Sequence, residues 1–157
     1  MLNRFFIFLL VICSFSISNA KSLSVDSSVK SLTKDYGLVF IFSPSCVHCQ
    51  RMAPVVSNIK DKYGFEVFPI SSNGSGLGNF KNPIPLNYSI KQEFYRGNAE
   101  RFPLLVLQEL DGQMSSYVVA NGEATQQQVE YILGMYSQRI ALSTAERSKL
   151  SRENKDD

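Results

Sequence analysis

The sequence predicts an α/β domain: a mixed central sheet covered by helices on both faces. Three observations carry this. The run GLVFIFS (residues 37–43) is almost wholly apolar and rich in aromatic and branched residues, the composition of a strand buried on both faces. Behind it Met52, Val55, Val56 and Ile59 recur at helical spacing and a second apolar run, FEVFPI (65–70), follows, which makes a right-handed strand–helix–strand crossover with parallel strands. Further on, strands over 104–109 and 114–119 flank Asp111 and Gly112, the dipeptide favoured in tight hairpins, and this adds antiparallel pairing.

Taken in order, residues 1–20 read as a cleavable signal peptide. One basic residue, Arg4, precedes an apolar run from Phe5 to Ile17, and Ser18 to Ala20 offer small residues for cleavage. The run falls short of the roughly 20 residues that a membrane span requires. Cys13 lies inside it, but Ile12 stands where a lipidation signal needs a small residue. Cleavage after Ala20 would leave Cys46 and Cys49 as the mature chain's cysteines and direct it to an oxidising compartment, the periplasm.

Residues 21–35 form an N-terminal lead-in, either a short amphipathic helix or a loose segment. The domain proper spans 36–141. In its motif helix Lys60 and Lys62 suit the C-terminal end, Gly64 is the stop, and Pro54 should introduce a kink. Residues 71–87, dense in Gly, Ser, Asn and Pro, read as a long loop, and YSIKQEFY (88–95) as a short helix. Thr125 and Gln128 make a capping box for a last helix with an apolar stripe at Val129, Ile132, Leu133 and Tyr136. Residues 142–157 form a charged C-terminal tail, a solvated helix end or frayed segment. With 16 basic and 14 acidic residues scattered along the chain, there is no footprint for nucleic acid or for a charged membrane surface.

The chemistry concentrates in SPSCVHCQRMAP (43–54), where the chain's only histidine sits between two cysteines. Cys46 falls at the carboxyl end of a central strand and the start of a helix. Free amides and the positive dipole end there favour a thiolate and lower its pKa from about 8.5. His48, as imidazolium or as a ring donor, would stabilise negative sulfur further and make the disulfide more oxidising. Cys49, one turn into the helix, would be buried, less acidic and suited to resolving a mixed disulfide.

Two blander readings fail on magnitude. A disulfide staple closing so short a loop returns about 2 kcal/mol before strain, little use to a domain with a full core. A zinc site needs four ligands, and Cys46, Cys49 and His48 are the whole soft-ligand supply, so no metal or other cofactor is expected.

A CxxC at the strand-to-helix junction of a crossover unit, followed by a hairpin and a final helix, resembles the thioredoxin superfamily, whose fold is a three-layer one with a mixed central sheet. CVHCQRMAP is the densest match: Pro54, five residues after the second cysteine, stands where thioredoxins place a helix proline, and His48 resembles the histidine of DsbA and the protein disulfide isomerases. The resemblance implies that Pro103, in RFPLLVL, is the superfamily's cis-proline and that the backbone of Phe102 is a strand-like edge for substrate chains. An ordinary trans proline is the alternative.

Within the superfamily, VFIFSPSCVHC, KYGFEVFPIS and ILGMY are most similar to the periplasmic thiol-disulfide isomerases of conjugative plasmid transfer. That similarity implies an exported thiol-disulfide oxidoreductase or isomerase. Its substrates would be secreted cysteine-containing proteins of a conjugative pilus or secretion apparatus, and a membrane or periplasmic redox partner would recycle it. A non-catalytic binding or chaperone module of a secretion system is the rival reading. Departures from the pattern are Phe40, where thioredoxins bury an acidic residue, and Ser45, where they place tryptophan. There is too little chain for the helical insertion of DsbA, and no dimerisation domain precedes Tyr36, so a monomer is expected.

Overall fold

The computed structural model describes residues 17–111 and 115–153. Most of the expected signal peptide, with Cys13, and the turn glycine Gly112 lie outside the described residues. The elements are α1 (Ile17–Leu32), β1 (Tyr36–Phe42), α2 (Val47–Tyr63), β2 (Val67–Ser71), β3 (Ile84–Pro85), α3 (Tyr88–Tyr95), β4 (Leu104–Glu109), β5 (Ser116–Asn121) and α4 (Gln126–Glu153).

The five strands form one mixed sheet in the order β3-β2-β1-β4-β5. The pairs β1–β2 and β2–β3 are parallel, whereas β1–β4 and β4–β5 are antiparallel. Every residue of the central strand β1 is buried, as its unbroken apolar sequence requires. Because side chains alternate along a strand, Leu38, Phe40 and Phe42 enter one core while Val39 and Ile41 enter another. The first core is closed by α1, α2 and α4 through residues such as Val29, Val56 and Leu133; the second is closed by α3 through Tyr95, with Ile90 and Phe94 packed against it. This is a thioredoxin-like three-layer α/β fold, its strand–helix–strand crossover running β1–α2–β2.

Several local expectations meet their residues in atomic detail. Gly64 ends α2 in the left-handed region at φ 86°, its amide donating to the Lys60 carbonyl at 2.7 Å. The Thr125 amide donates to Gln128 Oε1 at 2.8 Å and the Gln128 amide to Thr125 Oγ1 at 3.3 Å, the reciprocal box that opens α4. Pro54 lies inside α2.

The 71–87 segment is more structured than a loop. Ile84 and Pro85 pair with Ile70 and Ser71 as an edge strand, Leu77 and Phe80 form a bridge, and buried Phe80 packs its ring 5.3 Å from Phe40. Pro85 is tolerated because an edge strand has one side without a partner. The second strand also starts later than its apolar run, at Val67: Phe65 is spent on the core beforehand. At the ends, Val29 and Leu32 of α1 are buried in the core, Ser137 Oγ donates to the Ser28 carbonyl at 2.8 Å, and α4 runs on through the charged segment to Glu153. Among the described residues no helix is long and apolar enough to cross a membrane.

Candidate functional site

Strand β1 ends at Phe42, and the turn through Pro44 and Ser45 delivers Cys46 to the N-cap of α2. Its backbone is extended (φ −81°, ψ 119°), as an N-cap requires, yet its side chain makes no cap hydrogen bond. The Cys46 carbonyl accepts from the Gln50 amide at 3.0 Å and its amide donates to the Ser43 carbonyl at 3.1 Å. The first turn of α2 is thus tied to the strand while the amides at its mouth stay available to the sulfur.

The two thiols, both free, live in different media. Cys46 is half-exposed and Cys49 fully buried. Burial pushes the Cys46 thiol up, but this is outweighed by the nearby Cys49 amide, Cys49 thiol and His48 amide and by the Arg51 charge, so Cys46 is held below the ordinary thiol value. Cys49 is pushed up to about 12, chiefly by burial; the Ser43 amide, 3.5 Å from its sulfur, works against this, and the hydrogen bond and charge of Cys46 add to it. Such an asymmetry suits one thiol to attack and leaves the other protonated behind it.

Opposite Cys46 stands the turn into β4. The Phe102–Pro103 peptide is cis, and the Phe102 carbonyl lies 3.8 Å from Cys46 Sγ, so the sequence-predicted Cys46, Phe102 and Pro103 come together. Phe102 packs edge-on against Tyr95, whose buried hydroxyl donates to the Arg101 carbonyl at 3.1 Å. Burial pushes that phenol up, and the charges of Glu100 and Cys49 add to the effect.

His48 faces two neighbours. Its backbone amide points to the Cys46 sulfur, whereas its ring Nδ1 lies 2.8 Å from Glu123 Oε2. Arg51 Nε reaches the same carboxylate oxygen at 3.1 Å. Glu123 and Arg51 are residues the motif reading missed. Arg51 was within reach, being three residues from His48 on one helix face; Glu123, 75 positions away, carries no local signal. At the position where thioredoxins bury an acid, Phe40 is fully buried against Phe42, ring centroids 5.1 Å apart. Among the described residues no group of three or more His, Cys, Asp or Glu is placed to hold a metal.

Residues 16–131 match the family described as "TraF: F plasmid transfer operon protein". Protein TrbB of Escherichia coli (strain K12) is 25% identical over 81 residues, covering 52% of this chain; the match spans 40% of that relative's length. A solved structure described as "Structure of MTB dsbF in its mixed oxidized and reduced forms" is similar at 18% identity and a TM-score of 0.43, covering 66% of this chain and 82% of that one. The chain belongs to the TraF family of F plasmid transfer operon proteins, and within the thioredoxin superfamily it resembles TrbB.

Proposed function

We propose that the protein is an exported thiol-disulfide oxidoreductase or isomerase that acts through Cys46 and Cys49. The observation that carries this reading is the asymmetry of the two thiols: a half-exposed Cys46 held below its ordinary pKa beside the cis-proline turn, and a buried Cys49 pushed up to about 12.

The Cys46 thiolate attacks one sulfur of a substrate disulfide. A Cys46–substrate bond forms, the substrate S–S bond breaks, and the electron pair leaves on the other substrate sulfur. Loss of the Cys46 negative charge in this mixed disulfide removes one of the influences that raise Cys49. Cys49 then gives up its proton and attacks the Cys46 sulfur, expelling the second substrate thiolate and leaving a Cys46–Cys49 disulfide. The reverse sequence donates a disulfide. Phe102 and Pro103 orient the substrate chain beside the sulfur, and His48 tunes the thiolate through its amide and its ring.

Phe40 in place of a buried acid leaves that route without an acceptor for the Cys49 proton. Slow resolution keeps the substrate attached longer, which favours isomerisation over one-way reduction. Membership of a plasmid-transfer family supports secreted cysteine-containing components of a conjugative apparatus as substrates, the periplasm as location and a periplasmic or membrane redox partner for recycling.

Insulin reduction tests the catalytic reading. The protein should accelerate it and Cys46→Ala should return the rate to background. Activity that survives Cys46→Ala would contradict the proposed role and favour a binding or chaperone module.

A further inference from the structure

Three side chains meet at the rim of the thiol pair. Glu123 Oε2 lies 2.8 Å from His48 Nδ1 and 3.1 Å from Arg51 Nε, and Arg51 Nη2 is 3.4 Å from the same His48 nitrogen. One Nδ1 cannot donate to Glu123 and accept from Arg51 together. The shorter contact takes precedence, so the Nδ1 proton points at the carboxylate and the Arg51–His48 approach packs two donors side by side. Two donors so close are tolerated because one carboxylate accepts from both.

The loop that carries Glu123 is held at both ends. Gly122 adopts φ 110°, a conformation few side chains permit, and its amide donates to the Pro103 carbonyl at 2.8 Å. Two residues after Glu123, Thr125 enters the capping box of α4. Glu123 therefore joins the cis-proline turn, the final helix and the first turn of α2. It has no part in the bond-making steps above.

We propose that Glu123 is a positioning residue of the redox centre: it gathers His48 and Arg51 at the rim and cancels part of their charge, leaving the Cys46 thiolate less stabilised than those neighbours alone would make it. This rests on reading Cys46 as the attacking thiol. The Cys49 thiol and the Arg51 charge from α2 act on that sulfur and His48 faces it with its backbone amide, while Glu123 from the β5–α4 loop reaches it through the His48 and Arg51 side chains that it holds; Tyr95 of α3 interacts with Cys49. In an exposed setting a unit charge several ångströms away moves a pKa by about half a unit.

The test is titration of thiolate absorbance in the reduced protein, paired with its redox equilibrium against glutathione. Glu123→Gln keeps the size of the side chain and removes its charge. It should lower the Cys46 midpoint by about half a unit, giving roughly threefold more thiolate below both midpoints. Above them it should favour the reduced form by the same factor, about 15 mV. A midpoint that stays or rises overturns the proposal. If Glu123→Gln does not fold, the double variant His48→Ala/Arg51→Gln decides: its midpoint should rise, and an unchanged one overturns the proposal. Insulin reduction run in parallel separates the two ideas, since a shifted midpoint in a protein without disulfide activity upholds the role of Glu123 and counts against the catalytic reading.

Discussion

Helix α2 is anchored at its C-terminus and left open at its N-terminus. At the far end Gly64 caps the helix, Lys62 Nζ bridges Asp26 of α1 and Glu130 of α4 at 3.0 Å each, and Tyr63 donates to Asp26 at 2.7 Å. The cations there complement the negative end of the helix dipole. At the near end the N-cap is Cys46, whose side chain caps nothing, and the amides that a serine or aspartate would satisfy face a sulfur instead. One end of the helix is built for stability; at the other the amides and the dipole are left facing the Cys46 sulfur.

Cys46→Ser should break this contrast most strongly. Serine is a preferred N-cap, so at a pH low enough to keep the thiol protonated the variant should be more stable than the reduced parent by about 1 kcal/mol in denaturant unfolding, while insulin reduction falls to background. A loss of stability would show that the open N-cap is not what limits that end.

The pH dependence of the reduced protein's stability separates the two thiols. Cys46 is lowered in the fold, so its contribution is present above the ordinary thiol pKa of about 8.5 and is lost as pH falls through the folded value. Cys49 is raised to about 12, so its contribution is intact below about 8.5 and is lost as pH climbs toward that value. Stability should therefore rise as pH climbs through the folded Cys46 value toward about 8.5 and fall beyond it. Cys46→Ala should remove the rising limb, and Cys49→Ala should flatten the early part of the fall. Beyond about 10 the buried phenols Tyr36 and Tyr63, each pushed up to about 12, add to the decline.

The smallest effects belong to the anchored end. Gly64→Ala meets no atom within 4 Å, so its cost is the left-handed backbone alone, about 1 kcal/mol, with the redox equilibrium unchanged. Tyr63→Phe should cost about as much by removing the hydrogen bond to Asp26. Calorimetry reads both, and a shift in potential from either variant would show that the two ends are coupled.

Much of the fold was legible because its signals are local. The apolar run of β1, the stop at Gly64, the Thr125–Gln128 box and the 88–95 helix each depend on residues within a few positions of one another. What escaped depends on distance. Phe80 is an unremarkable aromatic in a Gly- and Asn-rich segment until Phe40 is brought beside it, and β3 exists because β2 offers it an edge. The site divides in the same way. The thiol pair announces itself by spacing, and Pro103 by resemblance to a superfamily. The carboxylate that grips His48 and Arg51 lies in a loop that nothing in its own sequence sets apart.

The central claim, that Cys46 is the nucleophile and Cys49 the sheltered thiol behind it, is tested most directly by alkylating the reduced native protein with iodoacetamide across a pH series and mapping the modified residue by mass spectrometry. Cys46 should react first, with a midpoint below the ordinary thiol range, while Cys49 stays unmodified until the chain is unfolded. Equal labelling of the two, or labelling of Cys49 first, would contradict these assignments.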